Sequence, residues 1–351
     1  MHERTHHLKW SLCRRERRKP ILYVNVRLAR GIYTRGVNSA SQALPRRRAL
    51  ELQPERFRKL AIAAVAMLIL IVGSGATVRL TGSGLGCQHW PGCQPGDPFP
   101  KKGYHSDIEF SNRDVAFFTV LTTLALALGA HRTRGLSRRT KVLAWIVFAG
   151  TLAQAPLGAI TVYFHLNPYL VIAHLLLSLA VIGVAVLVLL GSSELLQGVS
   201  AALPAAVRAA GGALLCAIAF LVVTGTLATA SGKYPGSNGD SRVHRLGSFQ
   251  PAVALHVKAV VAFAVVFLVL AGWAWRNRSG SLWLVRGCAG LLAILVVQMA
   301  IGETQYRTQL PWWLILVHVI VAALLFAWTV GLVARLWRPS HQASRLRKCP
   351  S

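Results

Sequence analysis

The sequence predicts an all-α integral membrane protein of eight transmembrane helices. They form two four-helix bundles related by a pseudo-twofold axis, with both termini cytoplasmic. Three observations predict this. Long apolar runs recur along a 351-residue chain that is 54% hydrophobic and only 14% charged. Cations gather in alternate connecting segments. Finally, one set of residues recurs at a fixed offset in the two halves of the chain.

A run of about 20 residues, each rising about 1.5 Å, crosses the roughly 30 Å hydrocarbon layer. Backbone groups in that layer must pair within the segment, which favours helices. The spans read as 60–79, 112–130, 142–161, 169–190, 211–229, 252–273, 287–303 and 311–334. Residues 1–59 precede them, with sixteen Lys or Arg against four acids and no apolar core long enough for a signal peptide. They are expected to be a disordered basic extension on the anionic inner leaflet; an organelle transit peptide or a start codon assigned too early are the alternatives. The first four spans make an N-terminal half, 60–190. A cytoplasmic linker, 191–210, leads to a C-terminal half, 211–335, and a basic cytoplasmic tail, 336–351.

The loop HRTRGLSRRTK (131–141) has five basic residues and no acid, and WRNRSGSLWLVR (275–286) has three. By the positive-inside rule these segments and both termini are cytoplasmic. The net charge of +28 is therefore a topology signal, and nucleic acid is not an expected partner. The Gly-rich loops 80–111 and 230–251 fall outside, where polar chemistry is expected.

Gln154, Gly158 and His174 recur 144 residues later as Gln298, Gly302 and His318. The same offset carries His256 back to Asn112. The first and fifth spans end alike, in GATVRLTGSG (75–84) and GTLATASG (225–232), with a small loop-length shift. Two related four-helix halves follow. His174, His256 and His318 lie six, five and seven residues after Pro168, Pro251 and Pro311, which puts all three roughly 7–10 Å into their helices.

A single histidine in a membrane helix is often a hydrogen-bonding partner for its neighbour. Three at equivalent depth point to a metalloporphyrin, because facing helices of a four-helix bundle can offer imidazoles to both faces of a heme. His256 and His318, in one half, are the natural axial pair. Zinc fits less well: a closed structural site needs four ligands, and no CxxC or HExxH motif occurs. In the other half His174 stands opposite Asn112, a poor iron ligand, so one face is open and suits a bound substrate.

Glu109 lies one helical turn before Asn112. It is either an acid favoured by a helix N-terminus or a carboxylate available for proton transfer at the mouth of the first pocket. Arg113 would meet a porphyrin propionate or a lipid phosphate. Glu303 and Arg307 are spaced as an ion pair. Cys87 and Cys93 would staple the loop RLTGSGLGCQHWPGC (79–93) through a disulfide, or act as a redox pair passing electrons inward. His89 between them is expected in solvent. Cys216 and Cys288 are expected to be buried small apolar residues, and Cys13 and Cys349 to lie in the reducing interior.

RLTGSGLGC and WPGC in the first loop, the Glu109 to Arg113 element, and single histidines in spans four, six and eight resemble the heme A synthase family over about residues 60–335. The resemblance implies oxidation of a heme O methyl group to formyl through a hydroxymethyl stage, making heme A for terminal oxidases. It implies a low-spin heme b cofactor ligated by His256 and His318, substrate heme near His174, Glu109 as the carboxylate associated with catalysis, and Cys87 with Cys93 as the outer-loop disulfide pair. Asn112 departs from the family, many members of which carry histidine there. A second cysteine pair found in some members is missing. The expected setting is a bacterial plasma membrane. Expected partners are the lipid bilayer, heme O, the farnesyltransferase that makes it, an electron donor or acceptor, and a second copy of the chain. Two rival readings remain: a diheme b-type electron carrier, which needs two bis-histidine sites, and a non-enzymatic heme chaperone or transporter, which needs no Glu109.

Overall fold

The computed structural model describes residues 51–87, 89, 92–97, 99–100, 103–194, 203–237 and 243–337, all within one compact unit. The N-terminal extension up to residue 50, residues 195–202 of the linker and the tail beyond 337 lie outside the described residues. Cys13 and Cys349 fall there too.

Eight helices account for most of the described chain: α1 (Pro54–Leu80), α2 (Tyr104–Arg132), α3 (Arg138–Tyr163), α4 (Pro168–Glu194), α5 (Ala205–Ser231), α6 (Phe249–Arg276), α7 (Leu282–Arg307) and α8 (Trp312–Leu336). Each is long and apolar enough to cross a membrane. Seven extend past the expected spans at both ends and α8 at its C-terminal end, because hydropathy locates the apolar middle of a helix while polar residues continue its ends. The largest difference is in α2, which starts at Tyr104 rather than near 112. Asn112 therefore lies eight residues into a helix and not at its start.

Local chemistry sets several boundaries. Pro54 occupies the first turn of α1, where its missing N–H costs no helical bond. The Ser137 hydroxyl accepts the Thr140 N–H at 3.1 Å and caps α3. The α3–α4 and α7–α8 connections share one backbone form at the 144-residue offset. His165 and Leu166 have positive φ, as do Gln309 and Leu310; Leu166 N–H donates to Thr161 O, and Leu310 N–H to Gln305 O, both at 2.8 Å.

Within the helices, threonine hydroxyls donate to the carbonyl one turn back, as Thr119 does to Val115 at 2.7 Å and Thr329 to Leu325 at 2.8 Å. This satisfies the hydroxyl where no water is available. Pro156 inside α3 removes one backbone bond.

Packing follows two rings. Helix α1 touches α2 and α4, and α3 touches both α2 and α4; α5 touches α6 and α8, and α7 touches both α6 and α8. The rings meet where α8 packs on α1 and α4, and α4 on α5. Phe57, Leu126, Val147 and Ile182 fill the first interior, and Leu214, Phe263, Phe267 and Leu291 the second. Large apolar side chains such as Leu70, Val265 and Val269 face outward, the surface lipid would cover. Cys216 corrects the sequence expectation: it is exposed, while Cys288 is buried. It stands two residues from each of the buried Leu214 and Ile218, which places it on the opposite face of α5.

Small residues bring α4 and α8 together. A Cβ on Gly331 would stand 3.3 Å from Val186, and one on Gly183 would stand 3.4 Å from Phe326. Such close approach drives association where lipid removes the hydrophobic advantage. At one end of the molecule, here the loop end, the halves are also tied. Gly84 N–H donates to Gly236 O at 2.8 Å, and Arg79 Nε–H donates to Tyr234 O at 3.0 Å.

Replacing Gly331 with leucine forces α4 and α8 apart. The expected cost is about 1–3 kcal/mol, read as a lower Tm in detergent, with most of the loss recovered by Val186→Ala in the same chain. An unchanged Tm for Gly331→Leu would contradict the close packing of this seam.

Candidate functional site

Each of the four equivalent helix positions faces a glycine. A Cβ on Gly225 would lie 3.1 Å from the His256 ring, one on Gly302 3.2 Å from His318, one on Gly158 3.5 Å from His174, and one on Gly75 3.9 Å from the Asn112 amide. The missing side chains leave room for these four groups to approach the neighbouring helix closely.

The partners of these groups also match. Gln154 Nε2 donates to the His174 carbonyl at 3.3 Å, and Gln298 Nε2 to the His318 carbonyl at 3.0 Å. The residue before each of two facing glycines supplies a hydroxyl. Thr224 Oγ1 lies 3.2 Å from His256 Nδ1, and Ser74 Oγ donates to Asn112 Oδ1 at 2.8 Å. The Nδ1 atoms of His174 and His318 are buried without a hydrogen-bond partner. A polar atom left so in an apolar setting costs free energy.

His256 and His318 line one cavity of about 890 Å³ between α5, α6, α7 and α8, with Gly225, Gly302 and Gln298 in its wall. That size falls in the range of roughly 300–1,000 Å³ usual for cofactor sites. Arg79 and Leu175 from the first half close one side of it. Because the His256 Nδ1 is engaged by Thr224, its Nε2 is the nitrogen left to act as a ligand, with the hydroxyl fixing the ring from behind. The residues fit a flat, mostly apolar metallocycle held between two imidazoles.

In the first half the structure brings Glu109 to the disulfide loop. Cys87 and Cys93 are bonded to each other, and both are buried. Glu109, 4% exposed, accepts the Cys87 N–H at 2.8 Å and the Arg113 Nη2–H at 2.7 Å. Arg113 also donates from Nη1 to His89 O at 2.9 Å and to Gly92 O at 2.6 Å. The carboxylate is thus charge-paired and held on the loop side of α2, and Arg113 spans the loop that the disulfide closes. The His89 side chain is exposed.

Sequence reasoning missed Ser74, Thr224 and Arg79. The two hydroxyls had a signal in the repeat, since SG at 74–75 and TG at 224–225 are aligned. Arg79 had none: its contacts cross between halves, with Nε donating to Tyr234 O and Nη2 to Thr229 O, both at 3.0 Å.

Residues 58–330 match the family model COX15-CtaA, described as cytochrome oxidase assembly protein. Curated relatives include the heme A synthase of Bacillus licheniformis, 39% identical over 119 residues, which are 34% of this chain and 39% of the relative. The heme A synthase of Bacillus pumilus is 39% identical over 120 residues, 34% of this chain and 38% of the relative. That of Lysinibacillus sphaericus is 34% identical over 131 residues, 36% of this chain and 42% of the relative. The chain thus spans about two fifths of the length of these relatives.

Arg113→Ala removes the guanidinium that ties Glu109 to the disulfide loop. The Cys87–Cys93 bond is then expected to be reduced by dithiothreitol about tenfold faster than in wild type, measured by alkylation of the released thiols. Glu109→Gln, which leaves the two loop contacts of Arg113 in place, should change that rate less. Equal rates in all three proteins would show that the loop is held independently of Arg113.

Proposed function

This chain belongs to the cytochrome oxidase assembly family COX15-CtaA, and from that premise we propose that it is a membrane oxidoreductase that converts heme O to heme A. The reading places it in a bacterial plasma membrane with the loop end outward, as the distribution of cations favours. The observation that carries it is the pairing of His256 with His318 in one apolar cavity, set against a first half in which the position equivalent to His256 is Asn112, whose amide oxygen accepts a hydrogen bond from Ser74.

Under this reading His256 and His318 hold a resident heme b, which supplies one-electron redox chemistry when bound. Thr224 and Gly225 fix the orientation of the His256 ring, and Gly302 that of His318. Substrate heme O occupies the first half near His174. Conversion of its methyl group to formyl requires two successive two-electron oxidations, one oxygen atom from water and the release of four protons, with the four electrons leaving to an external acceptor. Glu109, the buried carboxylate one turn from Asn112, is the chain's proton acceptor there. Its bonds to Arg113 and the Cys87 N–H keep it aimed, and the disulfide loop shields it from bulk water. The diheme carrier is disfavoured by the same Asn112–Ser74 bond, since an amide committed to a hydroxyl is a weak second ligand. This reading calls for heme O from the farnesyltransferase that makes it and for an electron donor or acceptor; a second copy of the chain is a further proposed partner.

Purified protein is expected to show a low-spin b-type spectrum that survives His174→Ala and disappears in His256→Ala or His318→Ala. Loss of the tightly bound pigment in His174→Ala would reverse the division of labour between the halves. In cells making heme O, pigment extraction and mass analysis should find the formyl product only when this protein is present. Glu109→Gln should keep the b-type spectrum while lowering product on the order of a hundredfold; full product formation by this variant would favour a carrier or chaperone.

A further inference from the structure

Arg79 is a cation of the first half that lines the cavity of the second. We propose that it anchors a propionate carboxylate of the porphyrin bound there, so that the first half supplies the counter-charge for the second half's cofactor. The proposal rests on the heme reading given above.

Among the described residues no carboxylate pairs with Arg79. Its Nε and one Nη2 hydrogen are spent on the carbonyls of Tyr234 and Thr229, at the negative end of the α5 dipole. A guanidinium has five N–H donors in a fixed fork, so those two bonds orient the group and leave the remaining donors for a ligand. A cation facing an apolar cavity without a counter-ion is costly; a carboxylate in the cavity removes that cost and matches the fork geometry.

The level is right as well. Thr229 lies one turn beyond Gly225, the glycine facing the His256 ring, so Arg79 stands roughly 6 Å from the imidazole level toward the loop end. Lys233, next to the Tyr234 whose carbonyl holds Arg79, lines the same cavity, giving two cations toward the loop end for a dicarboxylate; Lys258, the third cation in the wall, comes two residues after His256 in α6. Glu303, an acid in the same wall, is already paired with Arg307. The arrangement is one-sided. Aligning GATVRLTG with GTLATASG puts Thr229 where the first copy has Arg79, and the first half's own Arg113 is committed to Glu109 and the loop.

The test uses full-length protein produced in a heme-deficient host and loaded with heme b or with its dimethyl ester, whose propionates carry no charge. Release to excess apomyoglobin is followed in the Soret band. Heme b should leave Arg79→Gln roughly tenfold or more faster than wild type, with Arg79→Lys intermediate. The ester should leave wild type and Arg79→Gln at the same rate. If Arg79→Gln speeds loss of heme b and ester equally, Arg79 is only a clasp between halves and the proposal fails; it fails too if Arg79→Gln changes neither rate. Heme b that leaves His256→Ala at the wild-type rate overturns the underlying heme reading instead, and with it the anchor.

Discussion

Within a bilayer a polar atom that the protein does not satisfy has no water to turn to, and this rule organises the molecule. Hydroxyls in the helices answer it locally by bonding to the preceding turn. Gln154 and Gln298 answer it in part: each Nε2 donates to a carbonyl on the next helix, while each Oε1 is buried without a partner. The imidazoles answer it only in part. His256 has Thr224 behind it, but His174 and His318 each keep a buried ring nitrogen without a partner. The glycines opposite them fit the same logic, since any side chain there would fill the space in which the rings lie.

The two halves solve one geometric problem with different chemistry. On α1 and α5 a hydroxyl residue followed by glycine meets a polar side chain on the next helix: Ser74 meets Asn112, and Thr224 meets His256. Exchanging imidazole for amide keeps the hydrogen bond to the hydroxyl and removes a good iron ligand. The first half holds a buried acid beside this altered position; the second half has a large cavity with two imidazoles in its wall. Under the proposed reading, this shared framework with one altered side chain separates a reacting site from a permanently occupied one.

Much of this was legible in the sequence, for identifiable reasons. Eight apolar runs are a property of composition along the chain, and they appear as eight helices. The recurrence of Gln, Gly and His at one offset requires no knowledge of packing, and the structure gives those residues matching contacts. Helix ends were harder: α2 begins at Tyr104 because HSDIEFSNRD is polar yet helical, and hydropathy is blind to that combination. Cys216 was misjudged because a membrane helix is apolar on all sides, so composition cannot tell its lipid face from its core face. The Arg79 contacts were invisible because they join residues about 150 positions apart through two backbone carbonyls, which carry no signature of residue type.

The segment from Arg79 to Cys93 is where the two halves become one device. It begins at a guanidinium held by the carbonyls of Thr229 and Tyr234 and passes through Gly84, whose N–H bonds to Gly236 O. It then delivers the Cys87 N–H to Glu109, only eight residues after Arg79. The disulfide and the two loop contacts of Arg113 close its far end. Each hydrogen bond is worth roughly 1–3 kcal/mol net, so no single one fixes the loop. Because they act in series on a short stretch, a displacement at either end has little slack to absorb it. The position of the first-half carboxylate is therefore set partly by contacts made on the second half.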